Sequence, residues 1–174
     1  MAKRLTEDDC KRLYAECGTP ENVIAHCRAV GDTAYEIAHS LNEAGCDYDE
    51  DLVRMSGYVH DLMRVYENHG ERGADVLEEQ GYFDEADIVR EHMYHCFHTI
   101  ENLDETDIVC LADRMVKDDK YVGIEERMSD LIIRRKVPDF MIAYINEKKE
   151  ETAEFIREIE KISGKTMDEL FNKN

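Results

Sequence analysis

The sequence predicts an all-α protein, a single-domain bundle of helices. Apolar residues recur at spacings of three and four, as in Val23, Cys27, Val30 and Ala34, which is typical of helices with one buried face. The chain has only 2 prolines in 174 residues, and its glycines fall where helices would end. Alternating strand-like segments between turn dipeptides are missing, so a sheet-based class is excluded.

Caps and stops define the helices of the first half. Thr6 begins a first short helix and Gly18 ends it. Thr19 is expected to cap the second, with Pro20 in its opening turn, and Gly45 to end it. The next three helices are predicted at about residues 49–64, 71–80 and 84–95.

The second half continues the helical pattern. The sixth helix contains the run IVCLADRMV, and the seventh follows Gly123 as far as the Val137-Pro138 break. The eighth is long and charged, from about 139 to 163, with Gly164 as its stop. A capping box of Thr166 and Glu169 then begins a short last helix. We expect one domain over residues 1–174, with its core at about 20–135 and additional helices at 139–174.

The charge balance excludes a protein that coats nucleic acid. The chain has 22 basic and 41 acidic residues, a net charge of −19, which repels polyanions. A chain of this charge that binds phosphates needs a local source of positive charge, and a bound metal ion is such a source. No apolar run approaches the roughly 18 residues of a membrane span, and MAKRLTEDDC lacks the apolar segment of a signal peptide. We therefore expect a cytoplasmic protein without a membrane partner.

The cysteines indicate reduced thiols. They stand singly, without a C-x-x-C pair, in a chain whose size does not require disulfides. A zinc ribbon is therefore excluded, and any metal must be held mainly by histidine and carboxylate. The cysteine positions are 10, 17, 27, 46, 96 and 110.

Two histidines share a face with apolar residues of their helices. His26 is three residues after Val23 and four before Val30, and His92 is four after Ile88. Residues three and four apart are neighbours on a helix, so both imidazoles should point toward the core. Taken singly, each could be a core histidine bonded to a backbone carbonyl.

Asp113 is harder to explain without a partner. It lies four residues after Val109 and three before Val116, on a face that should be buried. Burying an unpaired carboxylate costs several kcal/mol. A salt bridge to Arg114 or Lys117 and a metal ion are alternatives that this residue alone leaves open.

The adjacent pair His60-Asp61 favours the metal. On a helix the two side chains diverge by about 100°, yet both can reach one ion from a crevice between helices, and Gly57 should leave space beside the carboxylate. A histidine-aspartate pair by itself is usually a core histidine next to a surface aspartate. Four separate helices, however, each turn a histidine or aspartate inward, which favours one shared metal centre.

The order His26, His60-Asp61, Asp113 resembles the H…HD…D signature of the HD-domain phosphohydrolase superfamily. The segments AHCRAV, YVHDLMR and CLADRMVKDDK are also similar to the family's local sequences, over about residues 20–135. The resemblance implies a helical bundle with a metal site at its centre, and metal-dependent hydrolysis of a phosphate ester or anhydride.

Two more segments resemble a branch of this family that has a second metal site. NHGERGADVLEEQGY carries His69 and ADIVREHM carries His92; the branch includes bacterial hydrolases of symmetrical diadenosine tetraphosphate. The resemblance implies two divalent transition metal ions, of iron, manganese, zinc or nickel. It assigns His26, His60, Asp61 and Asp113 to one ion, and His69, His92 and a bridging Asp61 to the other.

The run HMYHCFH offers alternatives to one of these ligands. His95, one turn after His92 on roughly the same face, could replace it or line the entrance. His98 and His39 are expected to be exposed or core histidines.

The resemblance also implies a small phosphorylated substrate, with a nucleotide favoured, while the net charge argues against a nucleic acid polymer. Asp61 would orient a water activated by the two ions, and is the expected catalytic residue. Arg64, after Leu62-Met63 where the family often has isoleucine-glycine, can contact phosphate or a carboxylate. Lys117 and Lys120 are further candidate phosphate contacts or solvated lysines.

Two other functions stay open. The protein could be a regulatory module that binds metal and nucleotide without turnover, or a di-iron oxygenase, since some relatives of this fold oxidise their substrates. Both a monomer and a homodimer are compatible with the sequence, because the apolar run FMIAYI can pack in the bundle or at a dimer seam.

Overall fold

Helices dominate the fold, as the sequence predicts. The structure is a computed structural model that describes residues 3–171; the ends of the predicted domain, 1–2 and 172–174, lie outside the described residues. The α-helices are α1 (Glu7–Cys17), α2 (Glu21–Glu43), α3 (Glu50–Val59), α4 (His69–Glu79), α5 (Phe83–Glu91), α6 (Glu105–Asp113), α7 (Gly123–Arg135), α8 (Asp139–Ser163) and α9 (Met167–Phe171), with a 3-10 turn at Ile100–Asn102.

Several predicted caps are confirmed. Thr6 and Asp9 form a capping box at the start of α1, and Gly18 ends that helix in the left-handed conformation with φ 65°. Gly164 does the same after α8, with φ 68°. The Thr166 backbone N donates to Glu169 at 2.7 Å before α9, so side chains satisfy the free backbone groups at these helix ends.

Helices α2 and α3 pack so closely that their backbones touch. A Cβ atom at Gly57 of α3 would lie 2.5 Å from the Cα atom of Gly31 of α2. Gly57 is therefore required for helix packing, and the room expected beside Asp61 is occupied by the backbone of α2. This contact brings the end of α3 against the middle of α2.

The main core lies between α2, α6 and α8. Ile37 of α2, Ile108 of α6 and Ile159 of α8 are fully buried in it, and Phe155 of α8 is largely buried beside them. The long charged helix thus packs one apolar stripe on the bundle and exposes its other faces. Among residues 3–171, none of the helices combines the length and hydropathy that a membrane crossing requires.

Some predicted boundaries are wrong. Thr19 does not cap α2: its hydroxyl donates to the Leu62 carbonyl at 2.8 Å, and Pro20 occupies the cap position. Helix α3 ends at Val59 and α5 at Glu91, several residues before the expected ends. These ends follow from tertiary contacts that no glycine or proline marks in the sequence.

The sixth helix also ends early, at Asp113, and a short hairpin follows. Strand β1 (Val116–Lys117) pairs antiparallel with β2 (Lys120–Tyr121), Val116 opposite Tyr121. Asp118 in the turn has φ 53°, a left-handed conformation that aspartate tolerates better than most residues. The hairpin therefore turns the chain away directly after Asp113.

The six cysteines are free thiols, as expected. Burial raises the pKa of Cys10 to about 12, so this thiol stays protonated and unreactive at neutral pH. Metal binding is left to histidine and carboxylate.

Candidate metal centre

Three side chains from distant segments converge in the middle of the bundle. His26 of α2 has its Nε2 atom 3.0 Å from Oδ1 of Asp113, the last residue of α6. His60, directly after α3, has its Nε2 atom 3.8 Å from the same oxygen. The fold thus brings together residues that are 87 positions apart into one group of possible metal ligands.

Asp61 connects this group to a second one. Its Oδ2 atom is 3.5 Å from Nε2 of His60, while Oδ1 is 3.0 Å from Nε2 of His69 and 3.6 Å from Nε2 of His92. His69 is the first residue of α4, and His92 follows α5 directly. One carboxylate therefore lies between the two histidine groups, with Oδ1 toward His69 and His92 and Oδ2 toward His60.

Tight turns after α3 position the His60-Asp61 pair. The Leu62 N–H donates to the Val59 carbonyl at 3.0 Å and the Arg64 N–H to the Asp61 carbonyl at 2.9 Å. His60 and Asp61 are each 1% exposed. The pair is therefore held by the backbone in a buried position.

The converging atoms fit divalent metal ions. Among residues 3–171, several buried polar atoms have no hydrogen-bond partner, and half of them point into this centre. Buried polar atoms are nearly always hydrogen-bonded. Imidazole nitrogens and carboxylate oxygens are common ligands of transition metals. The four orphaned atoms here are Nε2 of His60, Oδ1 of Asp61, Nε2 of His69 and Nε2 of His92.

Backbone carbonyls orient three of the imidazoles. In each ring Nδ1 lies within hydrogen-bond distance of a carbonyl oxygen, so an Nδ1–H donor leaves the Nε2 lone pair free toward the centre. In metal-binding histidines, the ring nitrogen that does not bind the metal typically donates such a hydrogen bond. The pairs are His26 with Asp118 at 2.9 Å, His60 with Gly57 at 2.8 Å and His92 with Val89 at 2.6 Å.

Burial and opposite charge act against each other at His60 and Asp61. Burial is the largest single effect and lowers the pKa of His60, but the charge and hydrogen bonding of Asp61 and Cys27 together raise it by more, so this pKa lies well above its ordinary value. Burial likewise raises the pKa of Asp61, while His60, His69 and His92 lower it by more. Asp61 is therefore an ionised carboxylate deep in the protein, and a cation is its natural partner.

A cleft of about 480 Å³ opens onto the metal centre. His26, Asp61 and Arg64 line its inner side, and α7 contributes Arg127 and Arg134. Arg64 donates to Asp61 Oδ2 at 2.6 Å. The cleft thus joins the metal ligands to guanidinium groups that can bind phosphate bidentately.

The arginines of α7 differ in their partners. Arg134 pairs with Asp118 at 2.9 Å and Asp130 at 3.0 Å. The Nε atom of Arg127 is buried without a hydrogen-bond partner in the part of the chain that the structure describes. Neither arginine was predicted from the sequence as a residue of the site. Their spacing with Leu131 places both on one face of the seventh helix, and this pattern could have indicated them.

The predicted phosphate contacts differ in position. Arg64 lines the cleft, whereas the Lys117 ammonium pairs with Glu126 at 3.2 Å and Asp130 at 3.3 Å. Lys120 is exposed on β2. Neither lysine is among the residues that line the cleft.

The expectation that His95 lies on the same face as His92 is wrong. Because α5 ends at Glu91, the chain turns away and His95 Nε2 approaches Asp107 Oδ1 at 2.6 Å instead. His98 joins the same carboxylate, with Nδ1 3.1 Å from Oδ2. His39 stacks on a tyrosine ring and is partly exposed, 47% for its side chain.

Comparison with known proteins identifies the family. The model of the HD domain matches residues 23–118, more than half of the chain and the segment that contains all six expected ligands. The protein therefore belongs to the HD-domain family, whose members bind divalent metal ions.

One curated relative is similar to part of the chain. An uncharacterized protein of Methanocaldococcus jannaschii is 38% identical over 74 residues, which are 41% of this chain and 44% of the relative. The match thus spans less than half of that protein's length. No solved structure matches the chain significantly.

Proposed function

We propose that the protein is a metal-dependent phosphohydrolase that cleaves a phosphate ester or anhydride in a small molecule, with a nucleotide as the favoured substrate class. The observation that carries the proposal is the position of Asp61. Its two oxygens lie 3.5 Å from His60 Nε2 and 3.0 Å from His69 Nε2. A carboxylate between two histidine groups is suited to hold two ions at a short separation.

The ligands divide between two sites. His26, His60 and Asp113 would hold one ion, His69 and His92 the other, and Asp61 both. Two divalent ions, when bound, lower the pKa of a water molecule and stabilise the charge that develops on phosphoryl oxygens. The mixed imidazole and carboxylate set suits iron, manganese, zinc or nickel.

The protein's own residues would orient the reaction. Asp61, buried and held by backbone turns, would accept a hydrogen bond from the attacking water and fix its direction. The carbonyl partners of His26 and His60 keep these rings from rotating. Preorganised groups of this kind lower the barrier because they need no rearrangement during the reaction.

The cleft offers guanidinium groups to an anion, although the carboxylates of Asp118, Asp119 and Asp130 also line it. Arg64 and Arg127 would bind phosphate oxygens. The Nε atom of Arg127, which has no hydrogen-bond partner among residues 3–171, supports this role. A cleft of about 480 Å³ has the size of a small-molecule site. Lys117 would have to break its ion pairs with Glu126 and Asp130 before it could contact a phosphate group. Lys120 would contact only the outer part of a substrate.

The test begins with metal analysis of the purified protein, followed by loading with each candidate metal. Product release is then measured with para-nitrophenyl phosphate and a panel of nucleotides. Asp61→Asn should empty the metal centre and His60→Ala should remove the ion that it would share with His26, and both variants should lose activity, while the matched control His39→Ala keeps metal and activity.

Two results would overturn the proposal. Saturable nucleotide binding without product from any substrate would indicate a regulatory module. Oxygen consumption by the iron-loaded protein, without phosphate release, would indicate an oxygenase.

A further inference from the structure

A third group of histidine and carboxylate lies outside the metal centre, in the segment between α5 and α6. His95 Nε2 is 2.6 Å from Asp107 Oδ1, and His98 Nδ1 is 3.1 Å from Asp107 Oδ2. The three donor atoms lie within 4.8 Å of one another. We propose that His95, His98 and Asp107 form a separate binding site for one divalent transition metal ion.

The ligand rings are arranged as in the metal centre. The centroids of His95 and His98 are 5.3 Å apart and their planes cross at 74°. His60 and His92 have the same separation, 5.3 Å, and cross at 83°. Two imidazoles and one carboxylate supply three ligands, which leaves further coordination positions for water.

The backbone fixes these ligands in place. Asp107 accepts hydrogen bonds from the backbone N–H groups of His98 at 3.0 Å and Asp104 at 3.2 Å, at the start of α6. The carbonyl of His95 accepts a hydrogen bond from Arg114 at 2.8 Å. The segment is therefore preorganised, and an ion would not have to order a flexible loop.

Asp107 is a buried carboxylate that no lysine or arginine neutralises within the described residues. Its side chain is 0% exposed, and its ion-pair partners there are the two imidazoles. A divalent ion would supply the missing positive charge. It would replace the proton shared between His95 Nε2 and Asp107 Oδ1, and that proton would leave to solvent.

The site is accessible from one side. The side chain of His98 is 46% exposed, against 4% for His95. Both line a cavity of about 750 Å³ that also contains Glu101 and Glu154, so an ion can enter without unfolding. Two imidazoles and one carboxylate favour zinc, nickel, cobalt or copper over magnesium and calcium.

A protonated His98 bridging Asp107 and Asp104 would give the same geometry without an ion. His98 Nδ1 is 3.4 Å from Asp104 Oδ2. The two alternatives differ in one respect, because only an ion makes stability depend on added metal.

The experiment removes the metal centre first. Full-length Asp61→Asn protein is stripped with a chelator and titrated with Co²⁺ and Zn²⁺, alone and with His98→Ala added. We expect Asp61→Asn to bind one equivalent with Co²⁺ absorption bands and to gain thermal stability with Zn²⁺. The added His98→Ala should weaken binding at least about tenfold and abolish the gain.

Control variants separate the proposal from a folding defect and from the proposed function. His39→Ala in the same background should bind like Asp61→Asn, and His98→Gln should fold with an unchanged melting temperature in chelator but lose the ion. Equal metal binding with and without His98, or no binding to Asp61→Asn at all, would overturn the third site. Neither result bears on hydrolysis by the wild-type protein, which is measured separately.

Discussion

Oδ1 of Asp61 lies 3.0 Å from Nε2 of His69, yet neither atom has a hydrogen-bond partner of acceptable geometry among residues 3–171. Two buried polar atoms this close usually bond to each other. Here they face a common point that His92 also approaches, at 3.6 Å from the same oxygen. An ion at that point would satisfy all three atoms, and this relationship is the basis of the predictions on metal binding.

Asp61→Asn should remove most of the activity. The amide keeps the size of the side chain but loses the charge that both ions would share. We expect a decrease in kcat of more than about 100-fold, the loss that removal of an outer ligand partner can already cause. Metal content and product release measure it, with His39→Ala as control. Wild-type metal content in Asp61→Asn would contradict a bridging role.

His69→Ala and His26→Ala should each lower the metal content by about one ion per chain. The two histidines belong to different ligand groups, 3.0 Å from Asp61 and from Asp113 respectively. Each variant should keep the other ion at reduced affinity and lose hydrolysis. Elemental analysis after gel filtration gives the number of ions per chain. If His69→Ala retains the full content, the centre holds one ion.

Arg127→Gln should raise KM for a phosphorylated substrate and change kcat little. A charge-assisted hydrogen bond contributes about 1.5–3 kcal/mol, so kcat/KM should fall at least about tenfold. Initial rates over a range of substrate concentrations provide both constants. Arg12→Gln on α1, whose side chain is 41% exposed, is the control. An unchanged KM would exclude Arg127 from the binding site.

Gly57→Ala should destabilise the protein, because its Cβ atom would lie 2.5 Å from the Cα atom of Gly31. We expect a loss of about 3 kcal/mol in the free energy of unfolding, the upper range for overpacking. Gly73→Ala is the matched control, since its Cβ atom meets only a Val89 methyl group at 3.2 Å and that side chain can move. Urea unfolding measures both, and equal stabilities would show that α2 and α3 can separate without cost.

Local signals in the sequence were sufficient for much of the fold. The start and stop of α8 at Asp139 and Gly164, and the start of α1 after Thr6, depend on nearest neighbours and agree with the prediction. The helix period also directed His26 toward the centre, where it meets Asp113.

The errors concern features that only tertiary packing determines. Helix α5 ends at Glu91 although no glycine or proline follows directly, and this end sends His95 to Asp107 instead of the metal centre. The spacing with Leu131 places Arg127 on one face of α7, but only tertiary packing brings that face to the cleft beside His26 and Arg64. The sequence predicts that Gly57 leaves space beside the Asp61 carboxylate, whereas the close contact with Gly31 explains why this position is glycine.

The family match ends at residue 118, but Phe155 and Ile159 of α8 fill the same core as α2 and α6. A recombinant fragment cut at the limits of the match would therefore leave a groove of exposed apolar side chains where α8 had been. The segment that the family model recognises is thus shorter than the part of the chain that builds the core.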